Sequence, residues 1–393
     1  MNDFPYLKKD DIYLDSACQS LRPQPVIDAL NNYYTNHNSC GERVKYQWGR
    51  VTDDKVEDTR AKVLKFLKLK SKDYFVSFTL NTTYGINLIL NQIRPSFVQK
   101  VMTSDIEHNS PFLSTMAFSR KHTSVGKVRM DREVMDREPD GSIDLDKYDF
   151  TRALVVVNCA ANFDGRQLKN INELIKKVHK QNGIIVIDAA QAMAHSPEIL
   201  YKTEADVICF SAHKMYAPSL GVMVVKKSMV DKIDTTFIGG GMVDDADLDT
   251  YQLSANSPNH IYTKFESGLQ AWGEIIALGA AIDWLEQLPK SAHQNLAKYS
   301  EQLFDFLSTQ PKVHLINQAA NPTMAFYVEG FDSHLVGEAL SDENIMTRTG
   351  YFCAHYYLDH KMHYPPLIRF ALGYHTRQSD IEKTIAVLKK LLS

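Results

Sequence analysis

Val207-Ile-Cys-Phe is an apolar run that reads as a buried strand, and it stops at Ser211-Ala-His-Lys214. Upstream, Ile184-Ile-Val-Ile-Asp188 reads as a second strand that ends on a carboxylate, with Gln191 close behind. In open parallel sheets, ligands bind beyond the carboxyl ends of the strands. A lysine amine there can form a Schiff base with an aldehyde. A carboxylate there can keep a pyridinium nitrogen protonated. These are two protein groups that pyridoxal phosphate (PLP) requires. A lysine after a strand is more often a solvated charge, so Lys214 carries weight only together with Asp188 and the motifs below.

The elements that would position these groups follow from periodicity. Ile12-Tyr-Leu-Asp15 is a short strand, and Pro25 to Tyr34 has helical spacing. Residues 38–50, rich in Gly, Arg and aromatics, read as a loop suited to a lid or ligand wall. Thr52 to Leu67 is an amphipathic helix, with the lysine-rich Lys65–Lys72 as its solvated end. Strand Tyr74–Thr79 leads through Asn81-Thr-Thr into an apolar helix. That arrangement aims backbone N–H groups at an anion, although Thr82 or Thr83 reads equally as a plain N-cap. Strand Lys100–Ser104 ends near His108, which is either structural or placed to stack on a flat ring. Arg152 to Ala161 is an apolar strand ending at Asn162, and a helix from Asn172 to Gln181 returns the chain to Ile184. The alternation from Tyr74 to Val225 predicts a doubly wound α/β domain.

Phe237-Ile-Gly-Gly-Gly241 reads as a tight turn and residues 244–261 as a surface loop. Helices are expected at Leu269–Leu288 and Ala292–Ser308, and strands at Thr323–Val328, Ile345–Arg348 and Leu367–Leu372. Ser379-Asp-Ile-Glu382 is a capping box for a last helix. The expected division is a large domain over 14–290 and a smaller one over 291–393, with residues 1–13 packed on the latter.

Composition narrows the function classes. The chain has 393 residues, 44% hydrophobic and 23% charged, which is ordinary for a soluble globular protein. A net charge of −3 offers no electrostatic footprint for nucleic acid or an anionic membrane. The five cysteines are odd in number and lack CxxC spacing, so neither a disulfide framework nor a metal site is expected. Free thiols, no signal-peptide pattern and no apolar run of membrane length make a cytoplasmic protein the expectation.

Ser211-Ala-His-Lys214 after Asp188-Ala-Ala-Gln191, and Arg348-Thr-Gly-Tyr-Phe-Cys353-Ala, are the most specific motifs. With Tyr13-Leu-Asp-Ser-Ala17 and Leu367-Ile-Arg-Phe370 they make the chain resemble the class V fold-type I PLP enzymes. Within these it resembles the cysteine desulfurase and selenocysteine lyase group, over nearly its whole length. The resemblance implies an α/β fold: a mainly parallel seven-stranded sheet in a large domain, with a smaller α+β C-terminal domain. It implies PLP as cofactor, with Lys214 as the Schiff-base lysine and Asp188 on the pyridine nitrogen. Gln191 and Asn162 look like donors to the ring 3′-oxygen, and His108 looks like the stacked ring. Thr83, Ser211 and His213, with Thr82 beside them, look like phosphate ligands. Arg369 looks like the clamp on the substrate α-carboxylate, a task for a bidentate guanidinium. Arg348 would line the same site, and Arg43 survives in a neighbouring altered loop. Cys353 is similar to the sulfur-accepting cysteine of an RxGxxCA loop.

The implied activity is a PLP-dependent cysteine desulfurase, which leaves a persulfide on Cys353 and releases L-alanine. Attack on sulfur needs a thiolate. Without its motif Cys353 would read as an inert loop thiol. Cys159 and Cys209 read as core, while Cys18 and Cys40 stand as rival thiols near the site. Three departures bear on substrate and sulfur acceptor. Leu269 follows Phe265-Glu-Ser-Gly268 where the family usually has a threonine that reaches the partner's phosphate. Glu42-Arg-Val-Lys-Tyr46 replaces a common His-Arg-Gly-x-His, and Tyr351-Phe352 replaces frequent histidines. A homodimer and a sulfur-acceptor protein are further expectations by resemblance. Other readings are a class V activity without Cys353 (selenocysteine lyase, C–S lyase, aminotransferase or epimerase) and a nucleotide-binding α/β protein without PLP. The lack of GxGxxG or GxxxxGK[ST] weighs against the last.

Overall fold

The structure, a computed structural model, describes residues 3–41, 44–125, 130–254 and 258–392. Strand β1 (Ile12–Tyr13) and helices α1 (Gln24–Asn36) and α2 (Gln47–Phe66) come first. There follow β2 (Tyr74–Thr79), α3 (Thr82–Gln92), β3 (Lys100–Ser104), α4 (Asn109–Val125), β4 (Asp131–Met135) and β5 (Ala153–Asn158). Then come α5 (Ile171–Lys180), β6 (Ile184–Asp188), β7 (Val207–Ser211) and β8 (Gly221–Lys226).

These strands form a seven-stranded sheet of order β2-β8-β7-β6-β5-β3-β4. Only β8 runs against its neighbours, so the other six strands point one way and share a carboxyl edge. This is the α/β class, with a mainly parallel sheet, that the sequence predicts. The alternation of strand side chains feeds two cores. Val155, Val157, Ile185 and Ile187 pack in one core with residues of α1, α2, α5 and α6 (Trp272–Glu286), while Leu154, Val156, Ile184 and Val186 share the other with α3. Because both faces are covered, β5 to β7 are apolar along nearly their whole length.

Residues 244–261 are not all loop. They include strands β9 (Val243–Ala246) and β10 (Tyr251–Leu253), an exposed antiparallel hairpin. Asp247 closes it, its carboxylate accepting the N–H groups of Asp249 and Thr250. The remaining elements are α6, α7 (Lys290–Ser308), β11 (Val313–Leu315), β12 (Thr323–Val328), α8 (Ser333–Asp342), β13 (Ile345–Met346), β14 (Arg348–Gly350), β15 (Leu367–Ala371) and α9 (Gln378–Leu392). An antiparallel sheet of order β11-β12-β15-β14 has its own core, shared with Ile12 and Leu14. The run Ile345–Arg348 is thus two strands: β13 pairs with β1, while β14 pairs with β15.

Several helix starts differ from expectation, α6 beginning at Trp272 rather than Leu269 and α7 at Lys290 rather than Ala292, and two others have a visible local cause. α2 begins at Gln47, inside the stretch read as a loop, because Gly49 lets the turn pack on Val44; a Cβ there would meet Val44 Cγ2 at 1.7 Å. α9 begins at Gln378, so Ser379 lies inside the helix. Asp380 does the capping, its carboxylate accepting Arg377 N–H at 2.9 Å.

One buried ion pair ties α2 to the sheet. Arg60 Nη1 and Nη2 each donate to Glu266 at 2.7 Å, Nη1 also donates to Val76 O, and Glu266 Oε1 accepts Phe78 N–H. Removing one partner leaves an uncompensated buried charge, which costs about 3–5 kcal/mol. Arg60→Met should lower stability by about that amount in urea unfolding, and Arg60→Met with Glu266→Gln should recover part of it. An unchanged single variant contradicts the burial of this pair.

Candidate active site

The loops after β2, β3, β5, β6 and β7 meet at the shared carboxyl edge. They enclose a cavity of about 320 Å³ lined by Thr82, Thr83, His108, Asn162, Asp188, Gln191, Ser211, His213, Lys214, Arg348, Cys353 and Arg369. Every sequence-predicted site residue is there except Arg43, which lies outside the described residues. A larger cavity of about 450 Å³ near Arg60 and Trp272 holds none of these groups, so chemistry rather than size selects the site.

One end of the cavity is an anion cup. Asn81 caps α3, its side chain accepting Tyr84 N–H at 2.9 Å. Thr82 donates its N–H to Ser211 Oγ at 3.0 Å, and the two hydroxyls lie 2.6 Å apart. The turn passes so close to β8 that a Cβ on Gly221 would meet Thr79 Oγ1 at 2.3 Å and Asn81 N at 2.5 Å. A helix N-terminus ringed by hydroxyls suits a phosphate.

Burial governs the central groups. It holds the Lys214 amine below the ordinary lysine value, against the pull of Asp188 and with help from the Arg369 cation. Burial likewise raises the Asp188 carboxyl, while the Ala190 N–H at 2.9 Å acts the other way. His108 is pushed down to about 4 by burial, then by Lys214 and Arg369, so its ring is neutral near pH 7. Ser110 N–H donates to His108 Nδ1 at 3.0 Å, which puts the ring proton on Nε2. Ser110 Oγ then links that ring (2.9 Å) to Thr83 Oγ1 (2.6 Å).

Cys353 is exposed at the rim of the cavity. Phe352 and Cys353 both have positive φ (48° and 58°), a conformation that costs non-glycine residues about 1–3 kcal/mol each. Their carbonyls are anchored: Asn162 Nδ2 donates to Phe352 O, and Asn109 N–H to Cys353 O at 2.6 Å. Stacked rings follow at Phe112–Tyr356 and Phe163–Tyr357. Lys361 then reaches Asp105 at 2.8 Å and Asp136 at 2.5 Å.

Arg369, 2% exposed, gives Nη1 to Asn162 O at 2.9 Å and Nη2 to Asp15 at 2.8 Å. Its Nε and Asn162 Oδ1 are buried without hydrogen-bond partners. Gln191 Nε2 donates to Ala17 O at 2.8 Å. The sequence reading missed Asp15, Ser110 and Glu107. An aspartate closing a strand gave a weak signal for the first; the others carried none. Buried Glu107, its carboxyl raised to about 8 chiefly by burial, accepts Asn158 N–H at 2.7 Å and so joins the ends of β3 and β5. Leu269 and Tyr46, at the departures, are exposed. Among the described residues no cluster could hold a metal ion, and no helix is long and apolar enough to cross a membrane.

Burial also sets a pH dependence. His108, His195, His213 and His375 are each pushed down from 6.5 to about 4, burial being the first cause in all. Unfolded rings take a proton near pH 6.5, while the folded ones refuse it until about pH 4. Their stabilising contribution is complete above about pH 6.5 and is lost as the pH falls through about 4. The melting temperature should drop across that window, and the gap between wild type and His375→Asn should narrow. A gap constant from pH 7 to 4 counts against this linkage.

The groups present fit PLP: a buried amine for its aldehyde, a buried carboxylate for its ring nitrogen, a neutral imidazole and an anion cup. The sequence model of "Aminotransferase class-V" matches residues 12–384. A "Probable cysteine desulfurase" of Haemophilus influenzae is 28% identical, over 99% of this chain and 88% of its own length. The solved apo structure of a cysteine desulfurase from Thermococcus onnurineus is 26% identical with a TM-score of 0.88, covering 100% of this chain and 96% of its own. The solved structure of a cysteine desulfurase from Escherichia coli has a TM-score of 0.87 at 21% identity, covers 99% of this chain and 96% of its own, and supports the fold alone. With the family's sequence pattern spanning nearly the whole chain around this cavity, the protein belongs to the class V aminotransferase family.

Proposed function

We propose that the protein is a PLP-dependent cysteine desulfurase that passes sulfur from L-cysteine to Cys353 and releases L-alanine. The observation that carries this reading is one cavity lined by Lys214, Asp188, Arg369 and Cys353. Bound PLP supplies an electron sink that labilises the substrate's α-proton and, with it, the bond to sulfur. Arg369 binds the substrate carboxylate, helped by Asn162. Lys214, an amine whose basicity burial lowers, takes the α-proton and returns it. Asp188 holds a proton on the cofactor's ring nitrogen. His108, neutral and fixed through Ser110, covers the ring face. Thr82, Thr83, Ser211 and His213 would hold the phosphate, and Gln191 would serve the ring oxygen. Arg43, outside the described residues, is the remaining proposed substrate-binding residue. Cys353 takes the sulfur, so that L-cysteine and a thiol become L-alanine and a persulfide.

The proposed organisation is a large domain over 14–290 and a small one over 291–393, with 1–13 on the latter. We place two such chains in a homodimer, supported by the exposed apolar residues Phe237, Leu248, Tyr251 and Leu269. Cys353 at the rim suits delivery of sulfur to a separate acceptor protein. A cytoplasmic setting fits the free thiols.

A second reading is a class V reaction that bypasses Cys353. What favours it is a second thiol on the same cavity, half-buried Cys18. The Cys353→Ser variant separates the two. It should still bind PLP and cysteine, while alanine production falls at least about 100-fold, because serine oxygen rarely deprotonates near neutral pH. Wild type treated with cysteine should carry one extra sulfur on the Cys353 peptide by mass spectrometry. Extra sulfur on Cys18 instead, or full alanine production by the variant, selects the second reading. Asp188→Asn should lose far more rate than PLP affinity, since its charge acts on the transition state. Equal rates with PLP bound would refute that role.

A further inference from the structure

The turn that carries Lys214 is fastened from a distant part of the chain by Ser20. Inside the turn, the Met215 and Ala217 N–H groups both donate to Ala212 O, at 2.9 and 3.1 Å. His213 O, before Lys214, and Tyr216 N–H, after it, go to Ser20 instead. Ser20 N–H donates to His213 O at 2.9 Å, and Ser20 Oγ donates to the same oxygen at 3.0 Å. Oγ also accepts Tyr216 N–H at 2.7 Å. A hydroxyl has one proton to give and lone pairs to receive, so one group serves both sides of the lysine. Ser20 is buried, which gives these bonds more weight than they would have in water.

Tyr216 shows why this turn needs a fastener. It is a bulky, fully buried residue with φ of 68°, in the left-handed region. Such a conformation persists only where the surroundings over-determine it. Its N–H is held by Ser20, and its hydroxyl accepts Tyr374 N–H at 2.9 Å. Without the Ser20 hydroxyl, Tyr216 N–H becomes a buried donor lacking its acceptor, and the backbone around Lys214 shifts to find another. Ser20 is also tied to the substrate side. Upstream, Asp15 Oδ1 accepts from Arg369 Nη2 at 2.8 Å, and Asp15 O accepts the Cys18 and Gln19 N–H groups at 3.0 and 3.2 Å. Residues 15–20 thus form a braced strip from Arg369 to the Lys214 turn. A guanidinium on the α-carboxylate and an amine at the α-proton address adjacent carbons, so their spacing must be exact to well under a bond length. We propose that Ser20 is a positioning residue that sets the Lys214 amine against Arg369 for removal of the α-proton. This rests on Lys214 as the base of the proposed reaction, and not on the fate of the sulfur.

The test follows the α-proton of L-alanine, which has no sulfur to lose, in the PLP-loaded protein. NMR in D2O gives the exchange rate at saturation, and titration of the cofactor absorbance gives the Kd. In Ser20→Ala the rate should fall about tenfold or more with the Kd within about twofold of wild type, since misplacement by about one ångström can cost about a hundredfold. The isotope effect with alanine deuterated at Cα should rise, because a misplaced base makes proton removal the slow step. A variant that is merely less folded loses rate and keeps the wild-type isotope effect. Ser20→Cys keeps nearly the same size with a weaker donor and acceptor, so its rate should lie between wild type and Ser20→Ala. Thermal unfolding and PLP content check each variant. A folded, loaded Ser20→Ala with the wild-type rate, or with an unchanged isotope effect, overturns the assignment. Should Ser20→Ala not fold, a wild-type rate in Ser20→Cys overturns it. A wild type that exchanges no α-proton overturns it as well. Should wild type exchange the proton but make no alanine from cysteine, while Ser20→Ala still slows exchange, the desulfurase reading fails and the role of Ser20 stands.

Discussion

Desolvation at the carboxyl edge of the large sheet is the constraint on which the site depends. Lys214 and Asp188 are driven toward their neutral forms by one cause, burial, rather than by their attraction for each other. A solvated lysine at pH 7 is an ammonium with no lone pair to offer. The same residue at the dry end of β7 is a candidate nucleophile and base. The sheet supplies the dryness. Six strands pointing one way, covered on both faces, bring five loops to one edge.

The second sheet brings the opposite chemistry. Arg348 and Arg369 come from neighbouring strands, paired residue to residue, so two cations stand side by side on one face. Such a pair needs a counter-charge, and Asp15 provides it from a separate part of the chain. The N-terminal segment thus acts through charge as well as through Ile12 and Leu14 in the core. Lys361 plays the complementary part, joining the segment after Cys353 to Asp105 and Asp136 beside β3 and β4.

Much of this was legible in the sequence where the signal is local. Buried strands announce themselves as apolar runs, so Tyr74–Thr79, Lys100–Ser104, Ile184–Asp188 and Thr323–Val328 match residue for residue. Side chains at strand ends were legible too, because a parallel sheet sends them to one edge. Pairing across the chain was not. The edge strand Asp131–Met135 carries three charged residues among its five, so its composition hides it. The reversed strand β8 has the apolar content of its parallel neighbours, and direction leaves no mark on composition. Asp15, Ser110 and Glu107 matter through partners distant in sequence or through backbone groups, and neither is written in residue type.

Burial also sorts the five thiols. Cys159 and Cys209 lie wholly inside, and desolvation raises both thiols far above the usual range, which makes them inert. Cys40 is exposed and does not line the cavity. Cys18 and Cys353 remain, on the same cavity but in different company. Arg348 already binds Cys18, and the contact with Asp15 beside it fixes that sulfur in the wall. Among the described residues Cys353 has no such neighbour; what is fixed is its backbone, through two left-handed residues whose carbonyls are both held. A pinned backbone with an exposed side chain leaves the sulfur free to turn between the cavity and solvent. A residue that must first accept a sulfur and then surrender it needs that freedom, and a thiol held by a guanidinium lacks it.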